Sequence, residues 1–321
     1  MKIGNLYALD QFKKFADSAN QTGFQDSYAG TVLARNLTAV DPRVFEKKYP
    51  ELAFVNSGIQ VDNTGGYARR IQSLRLQDQG GFTTAGDASG NKGKISLAGE
   101  DSFLNVVIRE SHSIWSDDEV QEAELQNINL VSNYVATHNR IYLREIDAIG
   151  YLGINGNAGL LNFSGFTADA AGDTVDELTS LEAYDAISQL ITDQRNGVNN
   201  TPEYMANRVD MPVRVLNELS RKILDAGNGS MTVLTALQNN FPDVEFRGTA
   251  RAEDVLLGGN TLSITVAYNN NEEAMKMRVP LALTIGEIIK TNSWDFRVDS
   301  KYRVAGLDIL ETTAGRYLTG L

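Results

Sequence analysis

Residues 116–149 carry a helical pattern with almost no interior breaker, and nothing else constrains the chain as much. Ser116-Asp117-Asp118-Glu119 opens the pattern as a capping box, with Ser116 as the cap and Glu119 three positions on. Asp117, Asp118, Glu119, Glu122 and Glu124 crowd the first turns, where the helix dipole favours negative charge. Val120, Ile128, Val131, Val135, Ile141 and Ile149 recur at helical spacing, and Gly150 is the expected stop. At 1.5 Å per residue the pattern predicts one rod of roughly 50 Å.

Immediately upstream, residues 62–115 read as a long hairpin. Its tip, residues 80–99, holds glycines 80, 81, 86, 90, 93 and 99, with high backbone entropy and little to bury. On the return strand Leu104, Val106, Ile108 and Ile114 share one face, and Asn105, Arg109, Ser111 and Ser113 the other. Such a hairpin is too long to stand alone in water, so its apolar face needs a cover. A two-stranded arm joined to a rod is a poor frame for an active site and a good one for gripping neighbours.

Length and composition allow a sizeable fold: 321 residues, 42% hydrophobic, 22% charged. The formal net charge is -12 and no dense Lys/Arg run occurs, which argues against a nucleic-acid reader. An acidic inner wall would instead repel phosphate and keep a packed polymer from sticking. With no cysteine, disulfides and thiolate metal sites are excluded. No signal-like apolar core and no stretch of membrane-spanning length is present, so a soluble product made in the cytoplasm is expected.

Residues 1–45 read as an extended arm. Leu6, Leu9, Phe12, Phe15 and Ala16 mark a short amphipathic helix, serving either as a tether on a partner or as a first core helix. Residues 52–61 read as a strand. After residue 150 comes a glycine-rich connection, and then a second capping box, Thr179-Ser180-Leu181-Glu182, opens a helix that stops near Gly197. Further expectations are a strand at 204–209, helices at 213–224 and 231–238, and a strand at 243–247. A hairpin of 262–268 with 275–279 is expected around Asn269-Asn270-Asn271-Glu272-Glu273, and two closing strands around Ala305-Gly306. Segregated helices and antiparallel strands make the class α+β.

No candidate for catalysis holds together. Gly93-Lys94 has Ala88 where a phosphate loop needs its first glycine and Ile95 where it needs a hydroxyl. The glycines between Gly153 and Gly159 do not have dinucleotide-binding spacing. His112 and His138 have no sequence neighbour that would orient a triad or a zinc site, and each reads as a packed or surface histidine. Asp117 and Asp118 point about 100° apart and suit a helix start. Glu272-Glu273 reads as a solvated turn, and Trp115 and Trp294 as core or interface anchors. Pairing Glu110 with a distant Asp would be needed for a carboxylate-dependent hydrolase, and no motif supplies it. No catalytic, cofactor-binding or metal residue is therefore assigned.

The order of arm, strand, hairpin, rod, mixed region and closing strands resembles the major capsid proteins of tailed bacteriophages, with the Hong Kong 97-type fold. Gly159-Leu160-Leu161-Asn162 after the rod, Val266-Ala267-Tyr268, and the closing segment from Lys301 to Leu310 carry the likeness, which is nearest to a divergent branch. The resemblance implies an N-terminal arm (1–45), an extended loop (62–105) and an axial domain (160–290). It also implies a peripheral domain (46–61, 106–159 and 291–321) with a spine helix at 116–149. It further implies self-assembly into pentamers and hexamers of an icosahedral head around double-stranded DNA. Portal, scaffolding or decoration proteins would be its partners, without a membrane. The location would be the virion, after assembly in the host cytoplasm. An encapsulin shell of the same fold and an open filament or surface lattice are the competing readings beside the hydrolase. Lys92 and Lys94 lie in the arm with no identified acceptor, so covalent cross-linking is not carried over.

Overall fold

The computed structural model describes residues 52–82, 94–125, 128–225 and 230–321. The chain divides into two compact units, Met1–Lys47 with Gln121–Ile128, and Lys48–Val120 with Asn129–Leu321. The expected N-terminal arm with its amphipathic helix and most of the hairpin tip, Lys92 included, lie outside the described residues. Of the first unit, the described residues are Gln121–Leu125, in a helix, and Ile128.

The expected single rod is two helices. Ser116 and Glu119 do form the capping box, each backbone N–H reaching the other's side chain at 3.2 Å. The helix they open, α1, covers only Asp117–Leu125. The Ile128 N–H then bonds the Ala123 carbonyl, the six-to-one closure that ends many helices. A second helix, α2, runs Leu130–Leu152 behind a fresh cap, Asn129, whose side chain accepts from the Ser132 N–H at 3.0 Å. Asparagine competes for backbone hydrogen bonds and prefers caps to helix interiors, so Asn129 restarts the helix. The rod is therefore 23 residues, about 35 Å.

Gly150 is not the stop. It sits inside α2 because the Phe54 ring lies against it, and a Cβ there would fall 2.3 Å from ring carbons. The helix ends at Gly153, with φ 77°, whose N–H bonds the Ile149 carbonyl. Phe54 also meets Tyr151 edge-on at 5.4 Å, and its N–H bonds Asp147 Oδ1 at 2.9 Å. That anchoring explains a second difference. The expected strand at 52–61 is a tight 3-10 turn at Val55–Ser57, and only β1, Val61–Asp62, is extended.

The hairpin comprises β2, Arg70–Gly80, and β3, Ile95–Asn105, in unbroken antiparallel register from Arg70↔Asn105 to Gly80↔Ile95. Residues 95–99, expected in the tip, thus belong to a strand. Val106 ends the pairing, and the next strand, β4, Val107–Ser116, joins a different sheet.

The remaining strands are β5 Thr167–Ala170, β6 Arg208–Pro212, β7 Ile223–Asp225, β8 Ser230–Thr232, β9 Glu245–Thr249, β10 Val255–Leu257, β11 Asn260–Leu262, β12 Ile264–Tyr268, β13 Met275–Arg278, β14 Leu281–Lys290, β15 Asp295–Val304, β16 Gly306–Ile309 and β17 Gly315–Thr319. The helices are α3 Ser180–Gly197, α4 Val213–Arg221 and α5 Val233–Asn240. The capping box at Thr179 is formed as expected, and so are the closing strands on either side of Ala305. The helix expected to reach residue 224 stops at Arg221 and gives way to the β7–β8 pair. The other expected elements are shifted: the strand at 204–209 is β6, the helix at 231–238 is α5, and the strand at 243–247 is β9.

Three sheets organise the body: β5-β17-β12-β6-β9, β1-β13-β16, and β14-β15-β4. The expected hairpin of 262–268 with 275–279 does not form, because β12 and β13 lie in different sheets. Asn269 redirects the chain between them: its amide donates to the Met205 carbonyl at 2.6 Å and its Oδ1 accepts from the Asn271 N–H at 2.7 Å. The five-stranded sheet partitions two cores. One face gives Ile264, Val266, Tyr268 and Tyr317 to a core shared with the end of α2. The other gives Val209, Met211, Ala267 and Leu318 to a core closed by α3, α4 and α5.

Candidate assembly surfaces

The hairpin turns two unlike faces outward and inward. On one lie Leu74, Leu76, Ile95, Leu97 and Phe103, between 49% and 68% exposed. The register makes them one stripe, since Leu76 opposes Gly99, Gln72 opposes Phe103 and Gly80 opposes Ile95. Leu74 and Leu76 lie over Gly99, and the Arg70 guanidinium sits 5.0 Å from the Phe103 ring centre. The opposite face bonds to the body. Ser73 Oγ donates to Asp308 Oδ2 at 2.6 Å, and Arg75 pairs with Glu311. Full burial of the stripe would contribute on the order of 5 kcal/mol, so leaving it in water is unfavourable for an isolated chain.

The sheet β14-β15-β4 is inverted relative to the sequence expectation. Ile108 and Ile114, on the apolar face expected to need a cover, are each 51% exposed. Their polar neighbours Arg109, Ser111 and Ser113 face α2 instead. There His138, 6% exposed, is held by three hydroxyls: Ser300 Oγ at 2.8 Å and Ser111 Oγ at 3.2 Å from Nδ1, and Ser113 Oγ at 2.9 Å from Nε2. Farther along the helix Glu145 accepts from Arg109 at 3.0 Å and from the Tyr302 hydroxyl. Burial pushes the Glu145 carboxyl up, but the Tyr302 and Arg109 bonds outweigh it and leave its pKa below the usual value. No carboxylate bonds His138 among the described residues, so the serine–histidine cluster lacks the orienting acid of a nucleophilic triad.

The other residues singled out by sequence fall into structural roles. On the outward face Glu110 opposes Lys301 and His112 opposes Asp299, two cross-strand pairs of opposite charge or polarity. Trp115 is buried and stacks on Tyr134 at 5.2 Å, whereas Trp294 is 69% exposed. Asp117 and Asp118 stay in the first turn of α1, and Glu272 and Glu273 are exposed in a turn. The Gly153–Gly159 loop folds on itself, with Ile154 bridging Asn157. Asn162 locks it, accepting from the Gly159 N–H at 2.7 Å and donating to the Leu152 carbonyl at 2.8 Å, while Leu160 and Leu161 are fully buried. Among the described residues no cluster of His, Asp and Glu has the arrangement of a metal site, and no helix is long and apolar enough to cross a membrane.

Buried carboxylates escaped the sequence reading, Asp210 and Asp308 among them. Asp210, fully buried on β6, accepts from the Tyr151 hydroxyl at 2.7 Å and the Tyr268 hydroxyl at 3.1 Å. Burial pushes its pKa up to about 6 against the lowering effect of those bonds. Asp308, on β16, sits with Arg278 and Asp62 under the hairpin. The available signal was a lone acid inside an apolar run, Val209-Asp210-Met211 and Leu307-Asp308-Ile309.

A sequence model of the major capsid protein family matches residues 92–321. The capsid of the Myoviridae phage XM1 is 42% identical, with a TM-score of 0.80 over 90% of this chain and 98% of that one. The capsid of a native GTA particle is 13% identical, with a TM-score of 0.65 over 90% and 98%. Mycobacterium phage Ogopogo gives 12% identity and a TM-score of 0.59 over 91% and 99%. No curated protein matches. The encapsulin and hydrolase alternatives gain no support from these likenesses. With the family model covering most of its length and the XM1 capsid that similar, the chain belongs to the major capsid protein family of tailed phages, has the Hong Kong 97-type fold, and takes its place in the virion capsid.

Proposed function

We propose that copies of this chain close into five- and six-membered rings, and the rings into an icosahedral head around double-stranded DNA. Residues 62–105 act as the extended loop, with the described hairpin at their centre. Residues 46–61, 106–159 and 291–321 form the peripheral domain, in which α2 is the spine. Residues 160–290 form the axial domain and 1–45 the N-terminal arm. Portal, scaffolding or decoration proteins meet the finished lattice, and the chain performs no catalytic step.

The observation that carries this reading is the apolar stripe on the hairpin. A ring contact between identical subunits is heterologous, so one patch must meet a different patch on the next copy. A strand face of large apolar side chains suits that contact, because burial is non-directional and tolerates the different angles of five- and six-membered rings. The acidic balance fits an inner surface that does not bind its cargo.

The test excises residues 71–104 and joins Arg70 to Asn105 through an Asn-Gly turn. These two residues are paired, and the Val106 N–H already bonds the Arg69 carbonyl, so the foot stays closed. The expected result is a folded chain, by near-UV circular dichroism and sedimentation, that forms no shells by electron microscopy. Normal shell yield would overturn the proposal.

A further inference from the structure

The hairpin enters and leaves the body through two short connections. Entry passes Gly65 and Gly66, with φ of 111° and 49°, and exit passes Val106, the single residue between β3 and β4. At the foot the Tyr67 carbonyl accepts from Arg303 at 2.8 Å, the Asn105 carbonyl from the Asn157 amide at 3.0 Å and the Arg69 carbonyl from the Val106 N–H at 3.0 Å, so the strand pair is anchored at its base. Farther out, two side chains of β2 tie it to the body.

Arg278, on β13, is the centre. Its guanidinium pairs with Asp62 at the end of β1, bonds Asp308 Oδ2 at 3.0 Å through Nε, and reaches Ser73 Oγ at 3.1 Å through Nη2. Ser73 is 9% exposed and donates to the same Asp308 oxygen at 2.6 Å. Asp308 is 1% exposed, and its second oxygen has no partner among the described residues. The carboxylate therefore depends on two donors, one of them from the hairpin. If the hairpin swings away, Asp308 keeps one donor and the guanidinium loses an acceptor, in a site too buried for water to replace them freely. Two residues farther out, Arg75 on the same face of β2 pairs with Glu311, whose side chain also accepts from the Thr313 N–H and hydroxyl.

We propose that Ser73 in the Arg278–Asp308 pair, and Arg75 on Glu311, form a two-point clasp that sets the hairpin's angle before assembly. Ser73 and Arg75 are positioning residues: their bonds to Asp308 and Glu311 lie within one subunit, and they act by aiming the apolar stripe on the other face. The biological use of that aim rests on the proposed function, but the clasp itself is a property of the single subunit.

The chain has no cysteine, so a dye pair can be placed uniquely at Gln79→Cys, on the hairpin, and Gln189→Cys, on α3, both exposed. Single-molecule energy transfer at picomolar concentration then reads the full chain unassembled. A single narrow population is expected with the clasp intact. Ser73→Ala and Arg75→Ala should each lose that narrow population, while Ser73→Thr and Arg75→Lys, which keep the donor and the charge, should retain it. Each variant should keep a cooperative melting transition, which shows that it is folded at the temperature of the measurement. The clasp is overturned by a distribution already broad in the parent chain, by alanine variants as narrow as the parent, or by conservative variants as broad as the alanines. Shell yield is not part of this readout, so failure of the clasp and failure of the assembly proposal are separable.

Discussion

The five-stranded sheet and the hairpin obey opposite rules. In β5-β17-β12-β6-β9 every residue of β12 is buried, and each face meets its own apolar core. In β2–β3 the face that carries hydroxyl and guanidinium groups is held by the body, and the face that carries leucines is in water. The first region is complete within one chain. The second is incomplete within one chain, and in the assembly proposed above a second copy supplies the missing burial. An exposed apolar patch is informative in just this situation, where neighbouring polar groups show that the chain could have been turned the other way.

Substitutions can break this contrast. The largest effect is expected from Leu74→Asp with Leu76→Asp. Both side chains face water, so stability should move by no more than about 0.5 kcal/mol for each, while shells disappear from electron micrographs. Next comes the pH dependence of the complete region. The Asp210 pKa rises from 3.8 to about 6, so the folded chain holds that proton more tightly than the unfolded one. Its contribution is most favourable below pH ~4, is lost as pH rises to ~6, and is flat above, a change of about 3 kcal/mol in all. Asp210→Asn should remove that slope from urea unfolding measured between those pH values. Glu145 and Asp62, whose pKa values lie below the usual range, slope the other way in more acidic solution and are common to both proteins.

A third comparison sets Gly150→Ala against Gly99→Ala. The first puts a methyl group 2.3 Å from the Phe54 ring, and should cost about 1–3 kcal/mol. The second meets Leu74 at an ordinary 3.5 Å and should be close to neutral. Thermal melts of the two variants check both. The smallest effects sharpen the inverted sheet. Ser113→Ala deprives His138 Nε2 of its partner, with an expected loss of about 1 kcal/mol, whereas Ile108→Ser should change stability by less than about 0.5 kcal/mol. The usual ranking of core isoleucine over serine would be reversed.

Local chemistry was legible in the sequence, and the partners of each face were not. Both capping boxes, at Ser116 and Thr179, formed because their reciprocal bonds close within four residues. The strands around Ala305 were legible for a similar reason, in their alternation and in the Ala305-Gly306 step where one gives way to the other. The break at Asn129 was missed because the apolar stripe continues across it, and periodicity alone does not register a cap. Gly150 was misread because its reason lies in Phe54, far along the chain. The faces of β4 were inverted because alternation says only that two faces differ. Which one turns inward depended on His138 and Glu145, side chains of another element, and on the burial that assembly is proposed to provide. The decision to assign no site residue rested on motifs that failed, while Asp210 and Asp308 became visible only once tertiary structure surrounded them.

Val106 has an evolutionary consequence. Its N–H closes the foot on the Arg69 carbonyl, but as the one residue between two ladders it separates the register of β4 from everything upstream. Residues gained or lost in matched pairs at the far end of the hairpin would alter its reach by about 3.4 Å for each pair without rotating a single side chain of the sheet beyond. Selection could thus tune how far one subunit extends toward the next, and hence which lattice spacing it favours, while the scaffold that carries the arm stays as it is.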